Sequence, residues 1–338
     1  MIEQKRMPTA SMGALFQRLK AGGWRIVAPR AAGDTVTFGE IESPDEMATG
    51  LVQTTLSSKS VVFPMWEELF RFRHGESGAE FRDVDEAIMP TAVVGLRPCD
   101  ARAMQALHAV FTWDSQDEPY LRRRGRIALL GLSCAQADDC CFCTSVDGGP
   151  GDATGSDLLL TALGDDYLVE VVSDRGRELA ALAGDLLVAG ADVDKAAHLA
   201  TVPVRFDAAR LSTGLSKAFD REELWLEQSL RCLGCGACAY VCPTCACFDI
   251  QDEANRHGGA RVRCWDSCGF SLFTLHTSGH NPREMQSQRW RQRIMHKFAY
   301  MPERLQVVGC VGCGRCSRAC PVDMNLAEHL NAIVESVA

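Results

Sequence analysis

The sequence predicts an α+β protein in two parts: an N-terminal α/β domain over residues 1–215, then an all-helical, cysteine-rich domain over residues 216–338. Three observations carry this expectation. Up to about residue 215, short β-like runs alternate with helical stretches. From Asp220 onward that alternation mostly stops. Finally, 12 of the 17 cysteines lie at or beyond Cys232. A chain of 338 residues is long enough for two domains, each with its own core.

In the first part, residues 24–29, 35–41, 91–96, 126–132 and 167–172 read as strands, and 100–110 and 175–187 carry helical periodicity. The boundary falls between Phe206 and Asp220. Asp220-Arg-Glu-Glu-Leu-Trp-Leu-Glu-Gln-Ser-Leu then opens a helix that leads straight into the first cysteine run.

Two runs dominate the second part. Cys232-Leu-Gly-Cys235-Gly-Ala-Cys238-Ala-Tyr-Val-Cys242-Pro243 and Cys310-Val-Gly-Cys313-Gly-Arg-Cys316-Ser-Arg-Ala-Cys320-Pro321 share one spacing, C-x₂-C-x₂-C-x₃-C-P. Three thiolates two residues apart can wrap one face of a [4Fe–4S] cubane, while Gly234, Gly236, Gly312 and Gly314 let backbone amides approach it. In two-cluster ferredoxins the fourth cysteine ligates the other cluster. Cys232, Cys235, Cys238 and Cys320 are therefore assigned to one [4Fe–4S] cluster, and Cys310, Cys313, Cys316 and Cys242 to a second. Structural zinc is the competing reading, but it leaves the three-cysteine runs unexplained.

The 67 residues between Cys242 and Cys310 form an insertion. It contains Trp265, Phe270, Phe273, Met285, Trp290, Ile294, Met295 and Phe298 with little β-like alternation, so it is expected to be mainly helical, interrupted near residues 279–282. Its cations Arg283, Arg289, Arg291, Arg293, Lys297 and Arg304 outnumber Glu284 and Glu303. They form a solvated face, a docking patch for an acidic partner, or a field that stabilises reduced clusters.

Cys99, Cys134, Cys141 and Cys143 follow or flank strand ends in the first part, where ligand sites form at the carboxyl edge of a sheet. Four thiolates suffice for a third cluster; zinc or buried, metal-free thiols are the alternatives. Cys140 is surplus to this set. Cys245, Cys247, Cys264 and Cys268 form a second irregular group, read as a further metal quartet, a redox-active pair, or buried thiols. His280 and His296 are expected to be packed or capped rather than ligating.

Other classes are excluded. Lys+Arg 35 against Asp+Glu 44 gives a net charge of −9, which does not suit a polynucleotide partner. No run of 18 apolar residues predicts a membrane span, since residues 179–193 are broken by Gly184, Asp185, Gly190 and Asp192. No signal-like apolar run or twin-arginine pattern follows Met1, so a cytoplasmic location is expected, where clustered cysteines serve as metal ligands or redox groups. No dinucleotide fingerprint or P-loop is present, and Gly148-Gly-Pro-Gly-Asp-Ala-Thr-Gly155 fits neither.

Several segments are more specific than generic ferredoxin spacing: Lys59-Ser-Val-Val-Phe-Pro-Met-Trp-Glu-Glu-Leu-Phe70, Gly95-Leu-Arg-Pro-Cys-Asp100, Cys141-Phe-Cys-Thr-Ser145, Cys242-Pro-Thr-Cys-Ala-Cys-Phe-Asp249, Gly279-His-Asn-Pro-Arg283 and Cys310-Val-Gly-Cys-Gly-Arg-Cys316. Across roughly residues 20–325 the chain resembles the β (iron–sulfur) subunit of cytoplasmic sulfhydrogenases and, similarly, the electron-transfer subunit of anaerobic sulfite reductases. The resemblance implies an electron-transfer subunit that is not catalytic alone. It relays single electrons between a flavin subunit that uses NAD(P)H and the small and large subunits of a [NiFe] hydrogenase, or a sirohaem subunit in the sulfite reductase case. Cys264 departs from the family pattern, as does the Val61 and Val62 pair. A thiol-based sulfur or disulfide reductase, using Cys99, Cys141 and Cys143 or the Cys245 and Cys247 pair, is the rival from another class.

Overall fold

The computed structural model describes residues 2–76, 78–84, 87–190 and 193–336. Its strands are β1 (Glu3–Pro8), β2 (Arg25–Ala32), β3 (Thr35–Glu40), β4 (Trp66–Gly75), β5 (Gly78–Asp83), β6 (Thr91–Leu96), β7 (Ile127–Leu132), β8 (Leu158–Ala162), β9 (Asp166–Val171), β10 (Val188–Ala189), β11 (Phe248–Asn255) and β12 (Gly258–Trp265). The five strands expected in the first part all form.

They belong to an eight-stranded mixed sheet in the order β10-β1-β9-β8-β7-β6-β2-β3. Its centre, β2 to β8 through β6 and β7, is parallel. Both faces of this centre are covered, so β6 and β7 read as unbroken apolar runs. Val94, Ala128 and Leu130 pack with helices Met12–Ala21 and Asp174–Ala183. Val93, Ile127 and Leu129 face helix Pro98–Phe111 on the other side. This topology leaves the carboxyl ends of β6 and β7 adjacent, with Cys99 and Cys134 just beyond them.

The expectation of an all-helical second part is wrong. Within the insertion, β11 and β12 form a hairpin, and β12 pairs with β4 of the first part, giving a second sheet in the order β11-β12-β4-β5. The reason is physical. Every residue of β11 is exposed, so no apolar alternation marks it. What anchors the hairpin is Arg263, 3% exposed, which faces Glu67 across the β12/β4 pair and also binds Asp117 at the start of helix Glu118–Arg124. Such partners lie far away in sequence and leave no local periodicity.

The rest of this part is helical. Helices Ala208–Ala218, Glu222–Ser229, Gln286–Met295 and Leu326–Ser336 enclose a core that includes Leu215, Trp225, Trp290, Ile294 and Leu330. Helix Gln286–Met295 continues through a π-helical turn, His296–Tyr300, into Met301–Leu305. Among the described residues, no helix is long and apolar enough to cross a membrane.

Candidate metal centres

The two cysteine runs fold alike. Gly234 and Gly236 in one, and Gly312 and Gly314 in the other, take positive φ of 66°, 75°, 63° and 73°. Each run then enters a one-turn helix, Ala237–Tyr240 or Arg315–Arg318, and the two turns pack together. Left-handed backbone at paired positions is what glycine permits, and it explains the C-x-G-C-G spacing.

The first assigned set lines one cavity: Cys232, Cys235, Cys238 and Cys320 all face it, as do Cys268 and Cys316. Gln286 donates to the Cys232 sulfur at 3.1 Å. In the second set, Cys313 is buried, Cys310 and Cys316 are half-buried, and each thiol feels the charge of Cys242. Burial pushes the Cys310 thiol up to about 11, against the pull of Lys297. Lys297, in the π turn, donates to the Cys242 sulfur at 3.4 Å, to Thr244 Oγ1 at 2.9 Å and to the Gly309 carbonyl at 2.7 Å.

Cys99, Cys134, Cys141 and Cys143 also come together. Cys134 is pushed up to about 12 by burial, with Arg97 opposing and the charges of Cys143 and Cys141 adding to it. Cys143 is raised to about 11, again by burial and then by Cys141. Cys99 is held well above its ordinary range by burial, and Gln53 donates to its sulfur at 2.8 Å. Cys140 stays at the edge of this group, where its thiol feels Cys141.

These sets are contiguous. Cys99 packs against the small cluster of Ala103, Val311 and Cys313, and its thiol feels the charge of Cys313. Arg318 donates to the Cys313 carbonyl at 2.9 Å and to the Cys141 sulfur at 3.2 Å, and holds Asp138 with two bonds of 2.6 Å. Between the first and second sets sits Arg293, 4% exposed, which donates to the Cys238 carbonyl at 3.0 Å and to the Cys245 sulfur at 3.5 Å.

The donor sets fit iron–sulfur clusters better than zinc. All-cysteine sets around a cavity, lined with glycine backbone, suit a larger polynuclear group.

Of the three readings of the basic stretch, burial leaves a field beside the clusters for three of its cations. Arg289, Arg293 and Lys297 are buried, so that part of the basic stretch is neither a solvated face nor a docking patch. Their spacing of four residues places them on one helical face, a signal available in the sequence. Lys59, Arg315 and Arg318 carried no such signal. Cys264 does not line the cavity that Cys245, Cys247 and Cys268 share, and its thiol meets the Asp249 carbonyl at 3.9 Å. His296 keeps an exposed edge on the π turn, while desolvation of its ring and the nearby cations Lys297 and Arg293 lower it to about 4.

A mixed α/β platform packed against paired cysteine turns defines an iron–sulfur protein of the dicluster class. Residues 231–324 match the family model described as the 4Fe-4S dicluster domain. The chain is 30% identical over 329 residues to sulfhydrogenase 2 subunit beta of Pyrococcus furiosus, a match covering 95% of this chain and 96% of that one. It belongs to the sulfhydrogenase beta-subunit family, and it is an iron–sulfur protein with an electron-transfer role. No solved structure matches it.

Proposed function

We propose that this chain relays single electrons through three [4Fe–4S] clusters in a cytoplasmic, multi-subunit hydrogenase or sulfur reductase complex. Cys232, Cys235, Cys238 and Cys320 hold one; Cys242, Cys310, Cys313 and Cys316 the second; Cys99, Cys134, Cys141 and Cys143 the third. The clusters supply one-electron steps when bound. The partners on either side are a flavin subunit that uses NAD(P)H and a [NiFe] hydrogenase pair of small and large subunits.

The observation that carries this reading is the contiguity of the three thiol sets, with Arg293 between the first two and Arg318 touching the last two. The cations beside them, Arg293 buried and Arg318 open to solvent, do the tuning: positive charge beside a thiolate-ligated cluster favours its reduced state. The third set is supported by Cys99 and Cys134 lying just past β6 and β7, at the carboxyl edge of the large sheet. Reactive-thiol catalysis by Cys99, Cys141 and Cys143 is disfavoured, because nucleophilic thiols need a depressed pKa and burial raises all three.

The test is iron and acid-labile sulfide per chain in anaerobically purified protein, with EPR after reduction. Cys235→Ala, Cys313→Ala and Cys134→Ala should each remove about four iron. The first two should also stop electron transfer between the partner subunits. Two intact [4Fe–4S] signals in Cys235→Ala or Cys313→Ala would defeat the ligand assignment, and unchanged iron in Cys134→Ala would remove the third cluster.

A further inference from the structure

The segment Gly279-His-Asn-Pro-Arg283 folds as a turn tied down on both sides. The Asn281 amide donates to the Ser271 carbonyl at 2.7 Å, and its oxygen accepts from the Thr274 hydroxyl at 2.8 Å and from Arg283 N at 3.0 Å. Gly279 takes a φ of +82°, and His276 N donates to the His280 carbonyl at 2.9 Å across the turn. Just beyond it, the carbonyls of Arg283 and Glu284 both accept from Arg289 Nη1, each at 2.8 Å. The turn therefore fixes the place of the Arg289 guanidinium.

Arg289 is buried and lines the first-set cavity together with Gln286. Its Nε donates to Gln286 Oε1 at 2.9 Å. A guanidinium can only donate, so it holds the oxygen end of the amide and leaves the NH2 end to face the Cys232 sulfur, 3.1 Å away. Gly234, inside the cysteine run, makes room for this amide: a Cβ there would lie 3.2 Å from Gln286 Oε1. Gln53 makes a similar bond to Cys99, at 2.8 Å, but among the described residues its own oxygen is buried without a partner. Gln286 is the amide held at both ends.

We propose that Asn281 and Arg289 are positioning residues that hold the Gln286 amide against the Cys232 sulfur and so favour the reduced state of the first cluster. The inference rests on the reading of Cys232, Cys235, Cys238 and Cys320 as the ligands of that cluster. Reduction adds negative charge that spreads onto the ligating sulfurs, and a hydrogen bond strengthens as its acceptor becomes more negative. Hydrogen bonds to sulfur are accordingly among the terms that set a cluster's potential. An amide free to rotate would lose rotamer entropy each time it made this bond, whereas Arg289 has already fixed this one. The turn over residues 279–283, which the ligand assignment leaves unused, thereby acquires a role at the first set.

The experiment is an EPR-monitored redox titration of the full-length chain, purified anaerobically, that follows the signal removed by Cys235→Ala. At the potential where that signal is half developed in the parent, Gln286→Leu should lower the ratio of reduced to oxidised cluster about fivefold. Gln286→Glu, whose carboxylate keeps the Arg289 contact but has no hydrogen to donate, should lower it at least as far. Arg289→Lys and Asn281→Ala should each lower it by a smaller factor, and neither should change it further in a Gln286→Leu background. A ratio equal to the parent's in Gln286→Leu or Gln286→Glu overturns the proposal. So does an Arg289→Lys effect that adds in full to that of Gln286→Leu, since Arg289 would then not act through the amide. Should the Gln286 variants lose the cluster, the parent alone decides. With an isotopic nitrogen label in its glutamine side chains, electron–nuclear double resonance of the same signal should show coupling to Gln286, the glutamine that lines the first-set cavity, and its absence overturns the proposal. Iron retention in Cys235→Ala would instead defeat the ligand assignment.

Discussion

Arg315 and Asp100, 215 residues apart, form a two-pronged ion pair at 2.7 and 2.9 Å, with both side chains at most 2% exposed. Arg315 lies between Cys313 and Cys316, and Asp100 directly follows Cys99. Two further bonds, to the Thr54 carbonyl and hydroxyl at 2.9 Å each, bring four of the five guanidinium N–H donors into use. The pair thus fixes the second cysteine run against the edge of the large sheet. Removing one partner of a buried pair leaves an uncompensated charge and costs about 3–5 kcal/mol. Asp100→Asn and Arg315→Met should each lower stability in anaerobic denaturant unfolding by that amount. Arg315→Met should also lose the iron assigned to Cys99. A variant of normal stability and iron content would show that the pair does not join the two sites.

Gly312 makes a second contact at this junction. Its φ is +63°, its carbonyl accepts from Phe142 N at 2.9 Å, and a Cβ there would lie 2.5 Å from the Cys143 nitrogen. Alanine therefore meets both left-handed strain of about 1–2 kcal/mol and backbone that must move away. Gly312→Ala should lose about 2 kcal/mol or more of stability. By contrast, Gly149→Ala, with open space around it, should be tolerated. Equal unfolding midpoints for the two variants would contradict the close approach.

Local patterns account for what could be read in advance. The parallel strands were legible because burial on both faces writes an unbroken apolar run, as in Ile127-Ala-Leu-Leu-Gly-Leu. The dicluster spacing was legible because cluster ligation fixes thiols at short, repeated intervals. The hairpin of β11 and β12 was not legible: β11 has no buried face, and Arg263 finds Glu67 and Asp117 only after folding. Lys59 and Arg315 were hidden likewise, since nothing in a sequence separates a buried lysine from a solvated one until its partners are placed.

Lys297 bears on the potential of the second set. Burial works against its charge, but the thiolates of Cys242 and Cys245 outweigh burial and hold the ammonium above its ordinary range. Removing a unit charge about 6 Å away, at an effective dielectric of about 20, should lower the midpoint potential by on the order of 100 mV. Lys297→Met should show this shift in an EPR-monitored redox titration, whereas Lys297→Arg should stay near the parent. A Lys297→Met potential within error of the parent would mean that the cation serves packing alone.

His329 gives the helical core a pH dependence. Its ring meets Trp290 edge-on at 5.1 Å, its carbonyl accepts from Gln228 at 3.1 Å, and Gln228 in turn accepts from Trp290 at 3.1 Å. Burial, and then the charge of Arg231, lowers its pKa from 6.5 to about 4. The unfolded chain therefore binds this proton more readily than the folded one. The contribution to stability is present above pH 6.5 and is lost as pH falls from 6.5 towards 4. Because the side chain is only half-buried, the loss between about pH 7.5 and 5.5 should be about 1 kcal/mol. Anaerobic urea unfolding at the two pH values should show this decrease in the parent and a flatter dependence in His329→Gln. An identical slope in the two proteins would mean that His329 titrates alike folded and unfolded, and that the Trp290 contact does not exclude its charged form.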